Sequence, residues 1–192
     1  MLQISKSLFL SLVLFSNIAW AQSLPIIHDF SELTVLNLSD AENVFNDIVK
    51  NNNIPFDFPD GCQAKAQKIS MLLEQKGILS AKAFAEGHIY NQSHWGLSFW
   101  LFHVASLILV QTNEVKEAYV IDPYLTNKLM TYSEWIHLLS KDPRTKIQKK
   151  YFTNRFVYDP PDLLNNPARY SPELIHDMEV VFKQIRKRLE RH

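Results

Sequence analysis

Apolar residues recur at helical spacing early in the chain and at strand density in its middle. Asp40 is placed to cap a helix over about 41–50, with Val44, Phe45, Ile48 and Val49 on one face. Ile54 to Pro59 holds two prolines and is expected to be extended. A second helix is expected from Cys62 to about Lys76, because Ala66, Ile69, Leu72 and Leu73 share one face, and Gly77 stops it. Ala81 to Ala85 reads as a strand. Trp100 to Gln111, dense in β-branched and aromatic residues, reads as a long buried one. Val115 to Asp122 is its antiparallel partner across Thr112-Asn113-Glu114. A helix over about 132–140, a strand around 151–158 and a turn at 159–162 follow. Ser171-Pro172 then opens a last helix running towards Arg191. The order predicts an α+β fold, with N-terminal helices packed on an antiparallel sheet and a C-terminal helix.

Residues 1–21 carry a different pattern. Lys6, the apolar stretch Leu8 to Ile18 and Ala19-Trp20-Ala21 have the layout of a secretory signal peptide cleaved before Gln22. The stretch is shorter than the ~20 apolar residues of a membrane span, and Leu97 to Val110 contains His103, Ser98 and Ser106. The expected organisation is a signal peptide over 1–21, an extended lead-in over 22–39 and one domain over 40–192. Such a chain is expected to be secreted or periplasmic, free of the membrane after cleavage, and a monomer.

Composition narrows the chemistry. Twenty Lys and Arg balance 20 Asp and Glu, so the basic excess that nucleic-acid binding demands is missing. The basic tail of the last helix is read as a solvated face. One cysteine excludes an internal disulfide or a cysteine-based zinc cluster. An unpaired cysteine in an exported chain is a buried filler, an intermolecular link or a working thiol.

The position of Cys62 bears on that choice. At the start of a helix, unpaired N–H groups and the dipole favour a thiolate, although Asp60 works the other way. A nucleophilic thiol needs a base, and the base needs an orienter. His103 lies inside an apolar strand, where its ring nitrogens need partners; a paired core histidine would fit equally well. If 112–114 form the turn, residues summing to about 225–226 face each other, which sets Asp122 opposite residue 103 or 104. The carboxylate could then hold the imidazole with its other nitrogen towards Cys62.

Other groupings are weaker. His88 and His94 stand six apart in a stretch that reads as a glycine-containing loop, with no carboxylate at a convincing ligand spacing, and surface loop histidines are the plainer account. Asp57, Asp60 and Glu86 could form an acidic pair, yet isolated acids in loops are commonplace. Neither a metal nor an organic cofactor is expected.

In these residues the chain resembles the bacterial protein-glutaminase family, enzymes that deamidate glutamine side chains within proteins. The resemblance rests on IPFDFPDGCQAKA at 54–66, WLFHVASLILV at 100–110 and YVIDPYL at 119–125, with weaker similarity at 131–135 and 151–159. It implies a papain- and transglutaminase-like α+β core in which Cys62 is the nucleophile, His103 the general base and acid, and Asp122 its orienter. It also implies proteins or peptides bearing exposed glutamine as substrates. Family members carry several disulfides and a long inhibitory pro-region, and this sequence departs on both counts. The position five after the nucleophile, basic in a relative, is Gln67. Trp95 and Trp100 are further residues that could line an acyl site. The same triad would also serve a transglutaminase or a cysteine protease, and a non-catalytic exported binding module would leave Cys62 as filler.

Overall fold

The structure, a computed structural model, describes residues 26–27, 29–113 and 115–191. The expected signal peptide lies outside these residues, as does most of the early part of the lead-in. The elements are β1 (Val35–Asn37), α1 (Leu38–Val49), α2 (Cys62–Gln75), β2 (Ala81–Ser93), β3 (Gly96–Thr112), β4 (Val115–Ile121), β5 (Met130–Thr131), α3 (Tyr132–Leu139), β6 (Lys146–Asn154), a 3₁₀ segment (Pro160–Asn165) and α4 (Pro172–Leu189). The α+β class expected from the pattern is the class observed.

Five strands lie in the order β5-β4-β3-β2-β6, all paired antiparallel. The short β1 adds a parallel pairing to Leu109–Gln111 of β3, just past the last β2–β3 pair at Ala81–Leu107. β3 is thus the central strand and is almost wholly buried from His103 to Val110. Helices α1, α2 and α4 bury Ala41, Phe45, Ile48, Ile69, Leu73, Met178 and Phe182 against Ile108 and Val110 on one face of the sheet. Helix α3 closes the other face, where Trp135 and Leu139 meet Ala83, Ala85, Ala105 and Leu107. Two apolar layers around one sheet are the ordinary way for an amphipathic sheet to bury both faces.

Several boundaries differ from the periodicity. Helix α1 begins three residues early, because Asn37 rather than Asp40 is the cap: its side chain accepts from the Asp40 backbone N–H at 2.8 Å and donates to the Asp40 carboxylate at 2.7 Å. β2 runs on to Ser93, where the sequence suggested a loop. Gly87 marks an irregularity in its pairing with both neighbours, and a Cβ there would stand 2.1 Å from the Lys146 carbonyl oxygen. The glycine that reads as a loop signal is therefore a close approach of two strands. β6 starts at Lys146 rather than 151, because its polar, exposed first half is held as a strand by pairing with Ala85 to His88 of β2. Asp159-Pro160-Pro161-Asp162 opens a 3₁₀ turn, with Asp159 capping the Asp162 N–H.

Candidate active site

The site forms where the central sheet opens. The β3–β4 ladder ends at Ser106–Ile121, so β3 has no β4 partner from Ala105 back to His103, and Asp122-Pro123-Tyr124 leaves the sheet at that gap. The first turn of α2 meets the same gap. One cavity is lined by Cys62, Lys65 and Ala66 of α2, by His103 and Ala105 of β3, and by Asp122 and Tyr124 beyond β4.

Asp60-Gly61-Cys62 turns the chain into α2. Gly61 takes a left-handed conformation at φ 78°, and a Cβ there would lie 2.9 Å from Ile185 Cδ1 and Val181 Cγ1 of α4. Glycine is required both by the backbone and by the packed helix above it. Helices α1, α3 and α4 are each capped by a side chain, from Asn37, Thr131 and Ser171, whereas α2 has no side-chain cap. Its first backbone N–H groups are left for another acceptor. Cys62 is half-buried and unpaired, and its Sγ is turned to Gln63 Oε1 at 3.7 Å.

His103 is 2% exposed. Its Nε2 meets Asp122 Oδ2 at 2.7 Å, and the same carboxylate oxygen accepts the Trp135 indole N–H at 2.9 Å. The imidazole lies between two indoles, Trp100 at 4.7 Å and 15° and Trp135 at 5.8 Å and 28° between ring planes. Nδ1 is buried without a hydrogen-bond partner among the described residues. Burial alone would lower the proton affinity of His103. The Asp122 carboxylate, by charge and hydrogen bond, and the nearby Cys62 outweigh it and raise the pKa to about 9. For Asp122, burial pushes upward, but His103, Trp135 and Lys65 together hold it below its ordinary value. The electrostatics favour an imidazolium–carboxylate pair beside the thiol.

The structure therefore brings Cys62, His103 and Asp122 to one cavity. Trp100 is buried against the imidazole, while Trp95 packs edge-on to Phe58 and donates to the Asp57 carbonyl. Asp57, Asp60 and Glu86 do not form an acidic pair: Glu86 accepts from Tyr151 at 2.6 Å, and Asp60 faces Arg188 at 3.5 Å. His88 sits on β2 with its ring edge-on to Phe99, while His94 lies in the β2–β3 turn. No metal-binding group of His, Cys, Asp or Glu occurs among the described residues. Gln67 points away from the cavity and accepts from the buried Lys82. Sequence reasoning missed Trp135, whose indole fixes the carboxylate. It also missed Lys65, whose only signal was a position one helical turn after Cys62.

Comparison with known proteins gives this geometry a context. The family model described as Glutaminase, a glutamine-deamidase family, matches residues 41–139, just over half of the 192 residues. The fold is similar to the NMR structure of protein-glutaminase from Chryseobacterium proteolyticum, at 24% identity and a TM-score of 0.66 over 78% of this chain and 87% of that one. A crystal structure of protein-glutaminase gives 23%, 0.65, 78% and 87%. A crystal structure of pro-protein-glutaminase gives 22% and 0.65, over 83% of this chain and 63% of the longer one. No curated protein matches the chain by sequence. The resemblance first read in three short motifs thus extends to a family-wide sequence pattern and a shared fold, and the chain belongs to the glutaminase family as a hydrolase of the protein-glutamine deamidase kind.

Proposed function

We propose that the chain hydrolyses the γ-carboxamide of glutamine in proteins and peptides, with Cys62 as nucleophile, His103 as general acid and base, and Asp122 as orienter. The observation that carries this reading is the buried His103, held by Asp122 through Nε2 while Nδ1 stays unbonded in a cavity shared with Cys62. Cys62 Sγ attacks the amide carbon, forming a C–S bond. The oxyanion accepts in part from the Cys62 backbone N–H, at the helix start that no side chain caps. His103 Nδ1 delivers a proton to the nitrogen as the C–N bond breaks and ammonia leaves. Water, losing a proton to His103, then attacks the thioester and frees glutamate and the thiol. The Sγ contact to Gln63 is a resting arrangement; hydrogen bonds of this kind tighten once substrate is bound.

The domain spans 40–192, and export follows from the signal-like pattern of 1–21, which N-terminal sequencing of the mature protein would test. For the chemistry, the measurement is incubation with a glutamine-rich protein, reading ammonia and +1 Da shifts by mass spectrometry. The expected result is deamidation in the wild type and none in Cys62→Ala. Equal activity in the two would sink the mechanism, and chain cleavage in place of +1 Da shifts would make the enzyme a protease.

A further inference from the structure

Lys65 follows Cys62 by one turn of α2, is only 5% exposed and lines the same cavity. A lysine buried this far must hold acceptors or give up its proton. Its ammonium donates to the Phe58 carbonyl and lies 5.0 Å from the centre of the Tyr124 ring. Among the described residues it makes no ion pair within 4.0 Å. The charged and titratable groups that face it are Asp122, Cys62, Asp60 and Asp57, with His103 lining the same cavity. Burial lowers its pKa to about 8, against the pull of those acids.

Its two partners belong to opposite walls. Phe58 lies on the segment that leads into Cys62. Tyr124 lies on the segment that leaves Asp122, packs edge-on to Trp100 at 6.0 Å and accepts from Asn91 at 3.1 Å. Trp100 in turn stacks on His103. The ammonium thus touches both the approach to the thiol and the departure from the carboxylate.

We propose that Lys65 is a positioning residue for deamidation, its ammonium bridging the Phe58 carbonyl and the Tyr124 ring to fix the cavity between Cys62 and the His103–Asp122 pair. This rests on the reading of that cavity as the acyl site. The bridge needs the charged form, since a neutral amine forfeits the cation–π contact and the charge-assisted bond. Loss of the Lys65 proton, which burial brings below the ordinary lysine value, therefore contributes to the alkaline limb of activity.

The test compares wild type and Lys65→Met for ammonia release from a blocked glutamine dipeptide between pH 6 and 10, with thermal melts of both. Losing a charge-assisted bond and leaving its carbonyl unpaired should lower kcat roughly ten- to a hundredfold, with KM within about threefold. The alkaline limb should move to higher pH once the titrating ammonium is gone. A kcat within about twofold of wild type, or an unmoved alkaline limb, overturns the proposal. If Lys65→Met does not fold, Lys65→Arg supplies the same reading, because its charge does not titrate in this range and its limb must also rise. A wild-type chain that releases no ammonia from any glutamine substrate refutes the acyl site itself, and this proposal with it.

Discussion

His103 and Asp122 meet on a diagonal. Extending the β3–β4 register from Ser106–Ile121 sets Asp122 opposite Ala105, two residues from His103 on the same side of the strand, and the 2.7 Å contact spans that offset. Diagonal neighbours in a sheet are within reach of long side chains. A carboxylate reaching across in this way fixes the ring by its direction as well as its charge.

Replacing Asp122 with Asn keeps the shape and removes the charge. Asn presents an amide that cannot hold the same tautomer reliably, so kcat should fall by roughly 10³–10⁴, as an orienting carboxylate is worth in triad enzymes. The proton affinity of His103 should fall with it, because the Asp122 charge is the largest influence raising it. Ring-proton NMR titration of the folded variant reads this shift directly; an unchanged titration would contradict the assignment.

The same pair predicts how stability depends on pH. The folded-state pKa of His103, about 9, lies above its ordinary 6.5. Between those values the folded chain holds a proton that the unfolded chain releases. The stabilisation is complete below pH 6.5 and disappears as pH rises through 9. Asp122 acts oppositely: its pKa is lowered, so its contribution is present above its ordinary 3.8 and lost as pH falls below it. Denaturant melts of wild type and His103→Gln should therefore converge as pH rises from 6.5 to 9.

Lys82 has the opposite sign. It is fully buried, donates to Gln67 and to the Val157 carbonyl, and burial lowers its pKa to about 7, with Asp162 and Asp159 opposing. Between 7 and the ordinary 10.5 the unfolded chain holds the proton and the folded chain does not, so raising the pH favours folding. Relative to Lys82→Met, the wild type should gain stability over that range, approaching about 1.4 kcal/mol per pH unit. A stability difference that stays flat with pH would refute this.

Gly61→Ala combines a left-handed backbone with a clash against α4. The expected loss is about 1–3 kcal/mol, measured by chemical denaturation. Because Gly61 immediately precedes Cys62, the rate of iodoacetamide alkylation should change as well. An alanine variant with wild-type stability and wild-type alkylation would show that neither the turn nor the packing constrains the thiol.

Much of this arrangement was legible from residue patterns. The start of α2 at Cys62, the stop at Gly77 and the hairpin of β3 and β4 all follow from local chemistry, namely apolar spacing, glycine and β-branched density. The hairpin turn is one residue tighter than expected, since Thr112 pairs directly with Val115. It sets Asp122 opposite Ala105 rather than opposite residue 103 or 104, so the carboxylate meets His103 on the diagonal and not face to face. Missed features depend on distant partners. The extension of β2 past Glu86 is imposed by β3 and β6, not by its own polar residues. The indole of Trp135 reaches Asp122 only because α3 packs across the sheet, and no spacing rule joins residues in a helix to a carboxylate beyond a strand end. Lys65 carries no local signal of burial, since only the walls of the folded cavity enclose it.

The contact of Gly61 with Val181 and Ile185 also has a consequence in time. Those two side chains belong to α4, which is synthesised after every residue that lines the cavity. The Gly61–Cys62 turn is made earlier and waits for its backing, so a chain still emerging, or one that lacks α4, holds the Cys62 thiol on an unsupported bend. Backing of the Gly61–Cys62 turn is thereby tied to the synthesis of α4.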